Sequence, residues 1–146
     1  FNRLKENLAR YQMEGVEKIQ VAADILTLEA KDLPRPEFDA VYVDVPCSNT
    51  GVIQRRPDVK WRQEESGLSE LAELQESMLR KAAEFVKQDG FLVYSTCSLD
   101  TAENEAVINS FLNSSGSSFS QEKAVSSLPW DSGHDGAGAF LLKRIK

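Results

Sequence analysis

Cysteine and histidine are scarce in this 146-residue chain, which has two of the first and one of the second. That excludes a four-ligand zinc site of the usual Cys/His kind. Long apolar runs are missing as well. Nothing approaches the roughly 18 consecutive apolar residues that a membrane-spanning helix requires. Positive charge is in short supply too: 17 Lys and Arg against 23 Asp and Glu leave a net charge of −6. This argues against a self-sufficient nucleic-acid binder with a basic face. The chain opens at Phe1 in a charged helical pattern, without a signal-peptide-like stretch. It therefore reads as part of a longer polypeptide from a reducing cytoplasm, where isolated cysteines are buried or catalytic. A Cys47–Cys97 disulfide is the alternative that an oxidising compartment would allow.

What is present is an ordinary globular balance, 41% hydrophobic and 27% charged, enough for one domain with a real core over residues 1–146. Residues 1–14 carry Leu4, Leu8 and Tyr11 on one helical face, with Gly15 as a stop. Lys18 to Ala23 alternates polar and apolar and predicts a strand ending at Asp24. Residues 29–38, with Pro34 and Pro36, form a loop. Residues 39–45 are continuously apolar, as in a parallel strand covered on both faces. A basic polar loop follows, from Ser48 to about Gln63.

Helical spacing runs from about Ser66 to Gln88 through Leu68, Leu71, Leu74 or Gln75, Met78, Ala82, Phe85 and Val86. Asp89-Gly90 stops it, and a strand occupies 91–96. Asp100 and Glu103 have capping-box spacing before a helix that runs to about Asn113. The Ser/Gly stretch 114–120 is a turn, and strands are expected at 119–128 and 137–145. This alternation predicts an α/β domain with a largely parallel sheet. Such sheets bind ligands beyond the carboxyl ends of their strands. Asp24, Asp44 and Cys97 each fall at the carboxyl end of a different predicted strand. Spacing alone does not separate a shared site from three strand-terminating caps.

The motifs say more. Asp44-Val45-Pro46-Cys47-Ser48-Asn49-Thr50-Gly51, Arg55-Arg56-Pro57-Asp58-Val59-Lys60-Trp61 and Tyr94-Ser95-Thr96-Cys97-Ser98 with Glu103-Asn104-Glu105 occur in that order. Together they resemble the Sun (Fmu) family of RNA cytosine-5 methyltransferases, continuously over about residues 1–112. The resemblance implies a Rossmann-like S-adenosylmethionine-dependent methyltransferase fold, mostly parallel with an antiparallel C-terminal strand. It also implies an RNA substrate, ribosomal or transfer RNA, with no metal and no membrane.

Two departures stand out. The family's Arg-Arg-His-Pro-Asp is shifted to Gln54-Arg55-Arg56-Pro57-Asp58, and the aromatic pair after Asp135-Gly136 is replaced by small residues. His134 then reads as a turn residue rather than a base. The family's first two strands and its glycine-rich cofactor loop have no counterpart here, and Gly136 and Gly138 precede a strand instead of linking strand to helix. The chain alone is therefore expected to bind cofactor poorly and to lack turnover. Either the sheet rearranges or other segments complete it.

Chemistry at cytosine carbon 5 needs a thiolate on carbon 6 to make carbon 5 nucleophilic. Residue chemistry leaves Cys47 and Cys97 equivalent in this respect. The resemblance assigns attack to Cys97 and product release to Cys47. It gives Asp44 a hydrogen bond to the target base near the cofactor's reactive end, Asp24 a contact to the cofactor's adenine, and Pro46 the floor beneath base and cofactor. Arg55 and Lys60, in a basic cluster with Arg56, Arg62 and Trp61, read as phosphate contacts beside a stacking aromatic. The bland alternative is a solvated loop with Trp61 buried under it. Two other functions compete: an amino-group methyltransferase, disfavoured by cysteine at position 47, and a catalytically dead RNA-binding or assembly module.

Overall fold

A computed structural model describes residues 2–11, 15–61, 65–114 and 118–146, without the side chains of residues 2, 4, 5, 65 and 66. The elements are helix α1 (Asn2–Arg10), strand β1 (Phe38–Asp44), helix α2 (Glu65–Ala83), strand β2 (Val86–Thr96), helix α3 (Glu105–Ser114), strand β3 (Phe119–Ser127), the one-turn helix α4 (Pro129–Ser132) and strand β4 (Ala137–Arg144). The strands form one sheet in the order β1-β2-β4-β3. β1 and β2 are parallel, joined through α2, while β4 runs antiparallel to both β2 and β3.

The core fills the space between one sheet face and helices α2 and α3. Val43, Leu92, Tyr94, Phe140 and Leu142 point down from the sheet to meet Leu79, Ala82, Val107, Ile108 and Phe111. Their burial follows the period of two along each strand and three to four along each helix. The other sheet face carries Tyr42, Phe91 and Val125, all exposed. β1 is thus covered on one face only, not on both as its unbroken apolar run implied.

Several expectations need correction. Residues 18–23 form no strand, and Ile19 and Val21 are exposed. A strand is stable only against a partner, and among the described residues nothing pairs with the outer edge of β1. The sheet is consequently mixed rather than largely parallel. Tyr11 is 66% exposed and does not share a buried face with Leu8; the Leu4 side chain lies outside the description. Helix α2 stops at Ala83, so Phe85 and Val86 lie beyond it, with Val86 opening β2.

The Asp89-Gly90 pair does not end a helix. It makes a bulge inside β2, where the register jumps from Phe38 opposite Val86 to Ala40 opposite Phe91. Asp89 is left-handed there, at φ 62°, a conformation Asp tolerates better than most residues. Helix α3 starts later than expected, at Glu105. Asp100 Oδ1 accepts from the Ala102 N–H at the preceding turn, but Glu103 does not complete a capping box.

Candidate active site

Parallel pairing sets Asp44 beside Ser95 at the carboxyl ends of β1 and β2. The bond from the Val45 N–H to the Ser95 carbonyl, 3.2 Å, carries the register one step further. Both chains then leave the sheet in the same direction, and the two cysteines meet. Cys47 Sγ and Cys97 Sγ are 3.1 Å apart, both thiols free and half-buried. The Cys97 thiol donates to Asn49 Oδ1 (3.2 Å), while Asn49 Nδ2 donates to the Cys47 carbonyl (2.8 Å). Asn49 reaches both because its backbone is left-handed, φ 63°. Beside the pair, Ser95 Oγ donates to Asp44 Oδ1 (2.9 Å) and accepts from the Tyr42 hydroxyl (2.7 Å).

The two loops are fastened together beneath this surface. The Gly51 N–H donates to the Cys97 carbonyl (2.9 Å), and the Gly136 N–H to the Gly51 carbonyl (2.8 Å). A Cβ at Gly51 would lie 2.2 Å from the Gly136 carbonyl oxygen, so only glycine fits. Thr50 Oγ1 accepts from the Leu99 N–H (2.8 Å) and meets Ser98 Oγ (3.0 Å). Deeper still lies Glu103, fully buried. It accepts from the Ser48 N–H (2.8 Å), from the Ser48 hydroxyl and from Gln75 Nε2 (2.9 Å). Gln75 Nε2 also donates to the Pro46 carbonyl (2.9 Å). The Tyr94 hydroxyl donates to the Glu103 carbonyl (2.6 Å) and to Gln75 Oε1 (3.2 Å).

Burial pushes the Cys97 thiol up to about 12, helped by the hydrogen bond and charge of Cys47 and by the Asp44 carboxylate, and opposed by a backbone hydrogen bond. Two thiolates cannot sit this close in a partly dehydrated pocket. The resting pair therefore keeps at least one proton between the two sulfurs. Tyr94 is pushed far above the usual phenol range by burial first, then by Glu103 and Cys47. It stays a donor.

Asp44, Cys47, Cys97 and Pro46 converge at the carboxyl ends of β1 and β2, with Asp44 and Pro46 exposed. Asp24 does not sit at a strand end, because the strand before it is not formed. Its carboxylate caps the short turn Ile25–Thr27 by accepting from the Leu26 N–H (3.0 Å). Arg55 is exposed and pairs with Asp135 at 2.8 Å, which ties the basic loop to the turn before β4. Lys60 is exposed, and Trp61 is 88% exposed at the end of the turn Pro57–Trp61. The reading of Trp61 as buried under its loop fails. Arg62 lies outside the described residues. His134 follows the left-handed Gly133 in an exposed turn.

Residues 1–135 match the 16S rRNA methyltransferase RsmB/F family. The chain belongs to that family. It is 35% identical over 149 aligned positions to ribosomal RNA small subunit methyltransferase B of Yersinia pseudotuberculosis serotype O:1b, covering 99% of this chain and 34% of that protein. It thus spans about a third of the length of the curated relatives it matches. Among solved structures it is similar to PH0851 (TM-score 0.86, 28% identity, 98% of this chain and 34% of that one). NSun6 from Pyrococcus horikoshii, solved with SFG, shares the fold (TM-score 0.80, 23% identity, 99% of this chain and 38% of that one). The Rossmann-like methyltransferase fold is thereby shown.

Glu103 and Gln75 are the site residues that sequence reasoning missed. A signal for Gln75 existed, a polar residue at an inward position of α2, where Leu74 was the alternative. Leu74 faces out and Gln75 in. The spacing of Glu103 from Asp100 suggested a cap, which hid its role. Among the described residues, no group of three or more His, Cys, Asp or Glu side chains could hold a metal ion, and no helix is long and apolar enough to cross a membrane.

Proposed function

We propose that this chain carries the reactive cysteines of an enzyme that methylates carbon 5 of a cytosine in ribosomal RNA. The observation that carries the reading is the pair of free thiols 3.1 Å apart beyond neighbouring parallel strands, with Asp44 alongside. Membership of a 16S rRNA methyltransferase family and likeness to named ribosomal RNA methyltransferases support the substrate. A reducing cytoplasm keeps both thiols free.

In this reading the target base leaves its stack and enters over Pro46. The Cys97 thiol gives up its proton to solvent and its sulfur adds as thiolate to carbon 6, while Asp44 shares a proton with the ring nitrogen, offsetting the charge that builds there. Carbon 5 then takes the methyl group. A base, Cys47 or a water beside it, takes the carbon-5 proton, its electron pair restores the ring double bond, the carbon–sulfur bond breaks and the Cys97 thiolate is returned. Cys47 serves that release step. Arg55 and Lys60 contact phosphates and Trp61 stacks on a neighbouring base.

S-adenosylmethionine would supply the methyl group. A relative of this fold was solved with SFG, an analogue of it. The residues here that would meet that cofactor are exposed Asp44, at the end of edge strand β1, and exposed Pro46 just beyond it. Among the described residues no glycine-rich turn links a strand to a helix; Gly136 packs against Leu99 and Gly51, and Gly138 against Asn104.

The test is a covalent one, run in the full-length protein with in-vitro-transcribed 16S ribosomal RNA. Cys47→Ser accumulates a protein–RNA adduct on a denaturing gel and Cys97→Ser forms none. The reverse pattern overturns the assignment of the two roles, and no adduct with either variant overturns the covalent mechanism.

A further inference from the structure

We infer that Glu103 is a positioning residue for Cys47, and so governs the release half of the reaction rather than the attack. The inference rests on the division of roles proposed above.

The carboxyl is fully buried, and its three contacts come from Ser48 and Gln75. A buried carboxyl without such donors would cost several kcal/mol. Among the described residues the partners it has found are an N–H, a hydroxyl and an amide rather than a cation. They bracket Cys47: Ser48 follows it, and the same Gln75 amide that reaches Glu103 grips the Pro46 carbonyl before it. Cys47 is thus held from both sides by one buried pair of side chains.

Cys97 touches neither of them directly; the link on its side is one residue removed, the Ser48 hydroxyl meeting Ser98 Oγ at 3.2 Å. Cys97 follows directly from β2, and its carbonyl is held by the Gly51 N–H. The backbone of Glu103 is fixed separately, its carbonyl by Tyr94 and its N–H by the Asp100 carbonyl. Changing the Glu103 side chain therefore leaves its own turn anchored and loosens the segment that carries Cys47. The asymmetry predicts a specific defect. A residue of merely structural importance would depress adduct formation and breakdown together.

Glu103→Gln keeps the shape but turns one acceptor into a donor facing Ser48 or Gln75. In the full-length protein with in-vitro-transcribed 16S ribosomal RNA, it is expected to form the Cys97 adduct at an unchanged rate. Breakdown is expected to slow by about tenfold, the rate equivalent of one lost hydrogen bond. The adduct then accumulates, as with Cys47→Ser. Should Glu103→Gln fail to fold by thermal melting, Gln75→Met removes the donor shared by the Glu103 carboxyl and the Pro46 carbonyl and is expected to shift the balance the same way.

Adduct accumulation in Cys47→Ser but not in the folded positioning variant overturns the inference and leaves the division of roles standing. So does a variant that slows formation and breakdown equally. Absence of accumulation in Cys47→Ser itself overturns the division of roles, and this inference with it.

Discussion

Cys97 and Cys47 arrive at the same point on unlike supports. Cys97 directly follows β2, a strand paired on both sides, with Leu92 and Tyr94 buried beneath it. Cys47 rides on a loop whose position depends on side chains: Asn49, Gln75 and Glu103. A strand-borne group is fixed by many backbone bonds at once, whereas a loop-borne group can be tuned or lost one hydrogen bond at a time. The difference matches the proposed chemistry, in which the attacking sulfur must be fixed and the releasing one may adjust between steps.

The largest effect should come from weakening the strand support. Leu92→Ala is expected to cost about 2–5 kcal/mol in urea unfolding, because it empties a fully buried site in the core. Val21→Ala, in the unpaired segment before β1, should change stability by less than about 0.5 kcal/mol. Comparable losses at the two positions would mean that residues 18–23 are as firmly packed as β2. Next comes Gly51→Ala, which drives a methyl into the Gly136 and Cys97 carbonyl oxygens. A loss of about 1–3 kcal/mol is expected, together with separation of the two thiols. Full retention of rapid Cys47–Cys97 cross-linking by diamide in that variant would break the view that the loop support sets the pair.

How much of this was legible in the sequence differs between the same two supports. The part of β2 at 91–96 and the run of β1, expected at 39–45 and found at Phe38–Asp44, followed from apolar runs, and the two cysteines at one site from the motifs. The loop support did not. Glu103 had the spacing of a cap, and a hydrogen bond to Ser48, 55 positions away, leaves no local trace. Asn49 looked like any loop polar residue until its left-handed backbone aimed its amide at both cysteine loops. Residues 18–23 misled in the opposite direction, because alternation encodes a willingness to pair and not the presence of a partner. The bulge at Asp89-Gly90 shows the same limit, since a turn signal does not say which element it interrupts.

A smaller effect sharpens the comparison from outside both supports. Arg55→Glu touches neither of them and loses only an exposed ion pair to Asp135, so stability should move by less than about 0.5 kcal/mol. In the full-length protein, RNA affinity should fall, and the slope of log affinity against log salt should drop by about one. An unchanged slope would remove Arg55 from the RNA contacts.

Thiol alkylation tests most directly whether the two sulfurs behave as one unit. Iodoacetamide labelling of Cys97, read by peptide mass spectrometry at fixed pH 8, is compared between the native protein and Cys47→Ser. Cys47 helps hold the Cys97 thiol up at about 12. Removing Cys47 lowers that value, raises the thiolate fraction and speeds labelling of Cys97. An equal or slower rate in Cys47→Ser, with the fold intact, would contradict the pairing on which the proposed mechanism rests.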